Sequence, residues 1–232
     1  MLKIPIHPNR GISSRNGEDV LAMENTLTHR LAVRFADILN QYVPKEGLAY
    51  RKVVLGSEVI LINISKLTII FVIAAFLKMA PQTLFVLIGF NVLRQTAFGL
   101  HALTSTGCTI TSITVFIIIP YFLQGVGLSS IAVALIFILI FVAMYLYAPA
   151  DTKARPIIGA KKRQMLKRKT MISCMALAVI LIALPYHLND IKLMFTLGAI
   201  YATISILPIT YKILRRECEN YERYEQAQVN QD

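Results

Sequence analysis

A histidine and a cysteine lie seven residues apart, at His101 and Cys108, in a stretch that has no charged side chain after Arg94 until Asp151. A thiol is a weak nucleophile until a neighbouring group takes its proton, and an imidazole often does so. The pair therefore predicts a nucleophile, Cys108, with His101 as its base. The alternative is an apolar helix that carries an unreactive cysteine and a hydrogen-bonded histidine.

The spacing of this pair limits the backbone between its members. Seven residues of regular helix return to nearly the same face but rise about 10.5 Å, whereas a base and its thiol need contact at roughly 3 Å or one bridging water. Gly99, Gly107 and the hydroxyl run at 104–106 favour an interruption, because glycine opens the backbone and Ser and Thr cap helices. We expect a break within 99–107 and a new helix that begins near 106–108. Its N-terminal dipole would help to stabilise a thiolate.

Composition and charge indicate an integral membrane protein. Of 232 residues, 56% are hydrophobic and 16% are charged, whereas soluble domains have about 45–50% apolar and about 25% charged residues. The formal net charge of +11 comes from basic residues that flank apolar runs. This distribution is typical of the cytoplasmic loops of membrane proteins, and it argues against a protein that binds nucleic acid. The three cysteines have neither metal-ligand nor disulfide spacing, so we expect no metal ion and no cofactor.

The apolar runs predict an all-α, polytopic membrane bundle of about six transmembrane helices, preceded by an amphipathic helix at residues 18–42. The amphipathic helix could lie in the membrane interface or pack on the bundle. In place of the first two spans, a single helix from 67 to 92 could bend at Pro81. The six spans are expected at 58–79, at 82–97, twice within 95–150 around a turn at 124–130, at 171–189 and, after a short turn at 190–192, at 193–211.

Three parts follow from these elements: an N-terminal arm with the amphipathic helix (1–50), a transmembrane domain (51–215) and a polar tail (216–232). A basic cytoplasmic loop is expected at 149–169 inside the domain. Six spans, unlike five, place the basic segments and both termini on the cytoplasmic side of the cell membrane. The same count places His101, and with it the candidate active site, near the cytoplasmic face.

Two blocks of the sequence resemble a known family. The first is the pattern R-x4-G-x-H-A-x5-C-x3-S, which runs from Arg94 to Ser112, and the second is A-P-A-D-T followed by R-P-I at 148–157. Together they resemble the signature of the accessory gene regulator B family (AgrB), and the resemblance covers roughly residues 20–215. The sequence departs from the family at Phe98, where a glycine is usual.

The resemblance implies an activity. AgrB proteins are membrane-embedded cysteine endopeptidases that process a quorum-sensing propeptide, so we expect a thioester on Cys108 and ring closure of the peptide. The expected partners are an amphipathic propeptide of the AgrD type, membrane lipid and a second copy of the chain in a homodimer. Beyond catalysis by Cys108 and His101, the residues expected to bind or orient the substrate are Arg94, Gly99, Ser105, Asp151, Lys161 and Lys162.

Some of these roles have alternatives. Arg94 could instead anchor its helix at the membrane interface, and Asp151 could cap a helix or orient His101 as a third member of the site. The two lysines are expected to attract the acidic C-terminal segment of the propeptide. The competing function is a non-enzymatic membrane protein, such as a small transporter or a structural subunit.

Overall fold

The computed structural model of the protein describes residues 27–42, 44, 46–100, 105–151, 157 and 159–214. These residues form helices and no β-strand, which confirms the all-α prediction. A π-helical turn, Thr114–Ile118, joins the helix Ser105–Ile113 to the helix Ile119–Phe122 without a break. The helices are α1 (Leu27–Tyr42), α2 (Gly47–Phe76), α3 (Ala80–Ala97), α4 (Ser105–Ile113), α5 (Ile119–Phe122), α6 (Ser130–Tyr147), α7 (Ala160–Ala183), α8 (Asn189–Ile204) and α9 (Pro208–Ile213).

The chain divides into two compact units, and the division falls inside α2, between Ile69 and Ile70. In the first unit, Tyr50 donates a hydrogen bond to a carboxylate oxygen of Asp37 at 2.5 Å. His29 Nδ1 lies 3.6 Å from Glu58 Oε2. Polar side chains thus link α1 to α2, while large apolar side chains of α1 stay exposed: Leu31, Phe35, Ile38, Leu39 and Tyr42. Those features fit both positions that the sequence left open for this helix.

At one end of the second unit, which we call the Arg94 end, the last residues of α3, α6 and α8 meet. The Gly99 amide donates to Ala150 O at 3.0 Å, and the Leu100 amide donates to Ser205 O at 3.1 Å. The Ala150 amide donates back to Ala97 O at 2.9 Å. Segments far apart in sequence are therefore held together by their backbones just after their helices end.

At the opposite end, the Lys192 end, α6 and α8 begin and α7 finishes. Lys192 Nζ donates to Ser130 Oγ at 2.8 Å, and Ser130 Oγ donates to Ile182 O at 3.2 Å. Lys192 is buried within α8, so the turn predicted at 190–192 is wrong. The connection comes earlier, beside Pro185, since proline disfavours helical backbone in the residue before it.

Glycines bring α3 and α8 into close contact at the middle of the second unit. A Cβ added at Gly89 would overlap the backbone carbonyl of Phe195, and one added at Gly198 would overlap that of Val86. Both helices run from the Lys192 end to the Arg94 end, so this crossing fixes the position of Arg94 relative to the end of α8. Apolar side chains on either side complete the core, among them Leu93, Leu197 and Ala202.

Two of the described helices are long and apolar enough to cross a membrane: residues 49–76 of α2 and all of α6. Only 11% and 22% of their apolar windows are buried, so they are unlike the core helices of a soluble protein. The six predicted spans are not confirmed. Helix α2 covers most of the first predicted span, 58–79, and starts before it, at Gly47.

The prediction of a basic loop at 149–169 is wrong for its second part. From Ala160 onward the chain is helical and continues as α7 to Ala183. Lys, Arg, Gln, Met and Leu are all good helix formers, so the basic run extends the apolar helix that follows it. The last predicted span, 193–211, is also interrupted, because α8 ends at Ile204 and Pro208 opens α9.

Candidate active site

The backbone is interrupted just before Cys108. Helix α3 ends at Ala97, residues 98–100 are not helical, and α4 begins at Ser105. Cys108, a half-buried free thiol, thus lies in the first turn of a new helix. The predicted break and the predicted helix start are confirmed. His101 and the Ser105 side chain lie outside the described residues, so the distance from the imidazole to the thiol stays a prediction.

Arg94 holds the segment that leads toward His101. Its Nη1 donates to Phe98 O at 2.5 Å and to Ser205 Oγ at 2.6 Å. Its Nη2 donates to Gly99 O at 3.0 Å and to Leu100 O. A planar guanidinium can satisfy several such acceptors at once, including carbonyls left over at the end of a helix. Arg94 therefore fixes residues 98–100, and its predicted role toward the substrate stays a prediction.

Gly99 has no room for a side chain. Its φ is +108°, and an added Cβ would lie 2.8 Å from Ser205 O and would overlap the Arg94 guanidinium. Phe98, directly before it, has φ +58° and ψ −134°, a conformation that favours glycine. The close backbone approach thus persists at this position although the residue is not a glycine.

Asp151 lies beside the same segment, at the end of the strand-like pairing between Phe98 and Ala150. Its side chain is buried, and its backbone oxygen accepts a hydrogen bond from the Tyr211 hydroxyl at 2.9 Å. Asp151 and Arg94 therefore belong to one end of the bundle.

A cleft of about 360 Å³ opens at this end, between the last turn of α6 and the first turns of α7 and α9. Asp151 and Tyr211 line it, and Arg94 is not among its lining residues. Two basic residues of α7, Arg163 and Lys167, also line the cleft. Lys161 and Lys162 are exposed and are not among its lining residues.

The sequence profile of the accessory gene regulator B family matches residues 32–206. The chain belongs to the accessory gene regulator B family. It is 36% identical to a putative AgrB-like protein of Clostridium acetobutylicum over 88% of this chain and 97% of that protein. It is 38% identical to a putative AgrB-like protein of Listeria innocua, over 84% and 96% of the two chains.

The accessory gene regulator protein B of Staphylococcus aureus is 30% identical, over 77% of this chain and 93% of that protein. No solved structure matches. Membership confirms the resemblance seen in the two sequence blocks, and it implies a role in accessory gene regulator quorum sensing. The family is associated with the membrane, which agrees with the two exposed apolar helices.

Two residues of this AgrB site escaped the sequence analysis. Ser205 binds Arg94 through its hydroxyl and Leu100 through its carbonyl, and Tyr211 binds the Asp151 backbone. Both lie close to Pro208 in an apolar run. The only signal in the sequence was a hydroxyl group within an otherwise apolar run. Such a hydroxyl, when buried, usually has a hydrogen-bond partner.

Proposed function

We propose that this AgrB protein is a membrane-embedded cysteine endopeptidase that removes the C-terminal tail of an AgrD-type propeptide and promotes its cyclisation. The observation that carries the proposal is the position of Cys108. It is a half-buried thiol in the first turn of a helix. Before this helix the backbone is interrupted, and Arg94 binds the start of the interruption through Phe98 O. A helix N-terminus favours negative charge on sulfur.

The first step forms a thioester. His101 takes the proton from Cys108, and Sγ attacks the backbone carbonyl at the N-terminal side of the scissile bond. The C–N bond breaks, the released amine of the tail takes a proton from the His101 imidazolium, and the rest of the peptide stays bound to Sγ. The dipole of the helix that begins at Ser105 favours the negative charge that develops on the attacked oxygen.

The second step closes the ring. A thiol or hydroxyl inside the propeptide attacks the thioester, and the C–Sγ bond breaks as a thiolactone or lactone forms. The attacking group loses its proton, and the Cys108 sulfur regains one. A thioester keeps the acyl group reactive, and exclusion of bulk water limits its hydrolysis.

Cleavage of a co-expressed propeptide tests the proposal. Cys108→Ala, Cys108→Ser and His101→Ala should each abolish cleavage, because each removes the nucleophile or its base. Cys174→Ala is the matched control, since Cys174 is a buried thiol in the apolar core. Continued cleavage by Cys108→Ala would exclude the cysteine mechanism.

The cleft beside Asp151 is where we place the acidic tail of the propeptide. Arg163 and Lys167 present positive charge along it, and Lys167 Nζ lies 4.3 Å from the centre of the Tyr145 ring. Carboxylates are attracted to such a wall of cations. This refines the prediction for Lys161 and Lys162, whose exposed positions on the same helix lie outside the cleft.

The four basic residues of α7 supply their own controls. Arg163→Gln and Lys167→Gln should each raise the KM for the propeptide roughly two- to fivefold, whereas Lys161→Gln and Lys162→Gln should leave it nearly unchanged. A propeptide with amides in place of its tail carboxylates should abolish the difference between the two pairs. Equal effects at all four positions would indicate a general charge effect and not a tail-binding cleft.

We also propose that α2, α3, the continuous α4–α5 helix, α6, α7 and α8 form six spans with the Arg94 end in the cytoplasm. The alternation of helix ends supports this topology, as does the basic first half of α7 at the Arg94 end. Both termini would then be cytoplasmic.

A homodimer is proposed as the active form, and mass measurement in mild detergent at micromolar protein should show two copies. A monomer alone under those conditions would contradict it.

A further inference from the structure

The helix that carries Cys108 contains a π-helical turn, Thr114–Ile118, between α4 and α5. In this turn the Ile119 amide donates to Thr114 O, five residues back. Pro120 follows immediately. Proline has no amide hydrogen, and its ring clashes with the carbonyl four residues earlier, here that of Phe116. The π turn widens the helix where that clash would occur.

Thr83 of α3 supplies the hydrogen bond that Pro120 cannot. Its Oγ1 donates to Phe116 O at 3.1 Å, and Thr83 has no exposed surface. A buried carbonyl without a donor would be unfavourable. The same region is anchored in the core by the buried Phe116 and Ile117 side chains, and the Phe116 ring contacts the Phe90 ring edge to face at 5.4 Å.

A π turn adds one residue to the helix. One residue of helix corresponds to a rotation of about 100°. Since Phe116 and Ile117 fix the second half, the added residue determines which face of the first half carries Cys108. With the π turn in place, Cys108 is half-buried.

We propose that Thr83 is a positioning residue for Cys108: its hydroxyl, together with Pro120, maintains the π turn that sets the direction in which the thiol points. The consequence for peptide cleavage rests on the function proposed above. The consequence for the environment of the thiol does not, because it follows from the direction of the Cys108 side chain alone.

The test compares Thr83→Val with the double variant Thr83→Val/Pro120→Ala in the full-length protein, in a background of Cys174→Ala and Cys218→Ala. Thr83→Val removes the hydrogen bond that Thr83 donates to Phe116 O. Adding Pro120→Ala restores an amide that can reach Phe116 O in a regular helix, at the expense of the π turn. Each variant is measured for melting temperature, for propeptide cleavage and for the rate at which a membrane-permeant maleimide alkylates Cys108.

We expect Thr83→Val to lower the melting temperature and to reduce cleavage about tenfold or more, because misplaced reacting groups lose rate steeply. In the double variant the melting temperature should recover, whereas cleavage and the alkylation rate should remain changed. Recovery of all three would show that Thr83 only satisfies a carbonyl, and it would overturn the proposal. So would wild-type cleavage and alkylation in Thr83→Val.

Two controls frame this comparison. Thr83→Ser keeps the donor and should retain cleavage. Thr170→Val removes another fully buried hydroxyl, one that is bonded to Leu166 O within its own helix, and should leave alkylation unchanged. If the wild-type protein cleaves no propeptide, the proposed function fails, and the alkylation rates of the same variants still decide whether Thr83 directs Cys108.

Discussion

Arg94 and Ser205 lie 111 positions apart in the sequence, yet Arg94 Nη1 donates to Ser205 Oγ at 2.6 Å. The serine hydroxyl in turn donates to Ala202 O at 2.7 Å, so its acceptor lone pairs face the guanidinium. This contact ties the end of α8 to the segment that leads toward His101. The position of residues 98–100 thus depends on a residue far along the chain.

Ser205→Ala should therefore weaken cleavage without unfolding the protein. It removes one of four hydrogen bonds that hold Arg94, and a hydrogen bond to a charged group contributes about 1.5–3 kcal/mol. We expect kcat to fall more than KM rises, because the variant misplaces a group and does not remove a substrate contact. Ser205→Thr retains the hydroxyl and serves as the control. A change in KM alone would argue for direct binding of the substrate at Ser205.

Substitutions at the neighbouring residues Phe98 and Gly99 should have opposite effects on the strain of the backbone. Gly99→Ala should destabilise the protein, since its Cβ would meet Ser205 O at 2.8 Å and its φ is +108°. At Phe98 the φ of +58° is unfavourable for a side chain, and such strain costs about 1–3 kcal/mol. Phe98→Gly and Phe98→Ala lose the same ring contacts, but only the glycine relieves this strain.

Thermal unfolding in detergent measures this difference. Phe98→Gly should melt at a higher temperature than Phe98→Ala, although glycine usually costs more conformational entropy than alanine. The reverse order would mean that the positive φ at residue 98 is not retained. It would also remove the physical reason for a glycine at this position in the family.

The break before Cys108 could be predicted because it depends on nearby residues. Two glycines and a hydroxyl run within ten residues were enough to place it. The function of Arg94 as a clamp could not be predicted in the same way. Its acceptors are backbone carbonyls and Ser205 Oγ, and neither leaves a pattern in sequence near Arg94.

The basic residues of α7 show a second limit on what the sequence alone predicts. Their composition predicted positive charge close to the site, but which of them line the cleft depends on where the helix begins. Because α7 begins at Ala160, Arg163 and Lys167 fall one turn apart on one face. Lys161 and Lys162 fall elsewhere. Charge was likewise a poor guide at Lys192, which was expected in a turn and is buried in α8.

The crossing of α3 and α8 should be the most sensitive part of the core to added volume. Gly89→Ala and Gly198→Ala would each push a methyl group into the backbone of the other helix, and such overpacking costs about 1–3 kcal/mol. Both variants should lower the melting temperature. Gly56→Ala is the control, because a Cβ there meets nothing within 4 Å and alanine is favoured over glycine in a helix by about 1 kcal/mol.

The reactivity of the two described cysteines separates an enzyme from a non-enzymatic membrane protein. Cys108 is half-buried at a helix start, and Cys174 is 1% exposed in the core. A membrane-permeant thiol reagent should label Cys108 well below pH 8, since an activated thiol reacts as its thiolate. Cys174 should stay unlabelled until the protein unfolds, and His101→Ala should slow the labelling of Cys108 at the same pH. Labelling of Cys108 only at alkaline pH, with no effect of His101→Ala, would indicate an ordinary thiol and would favour a transporter or structural subunit.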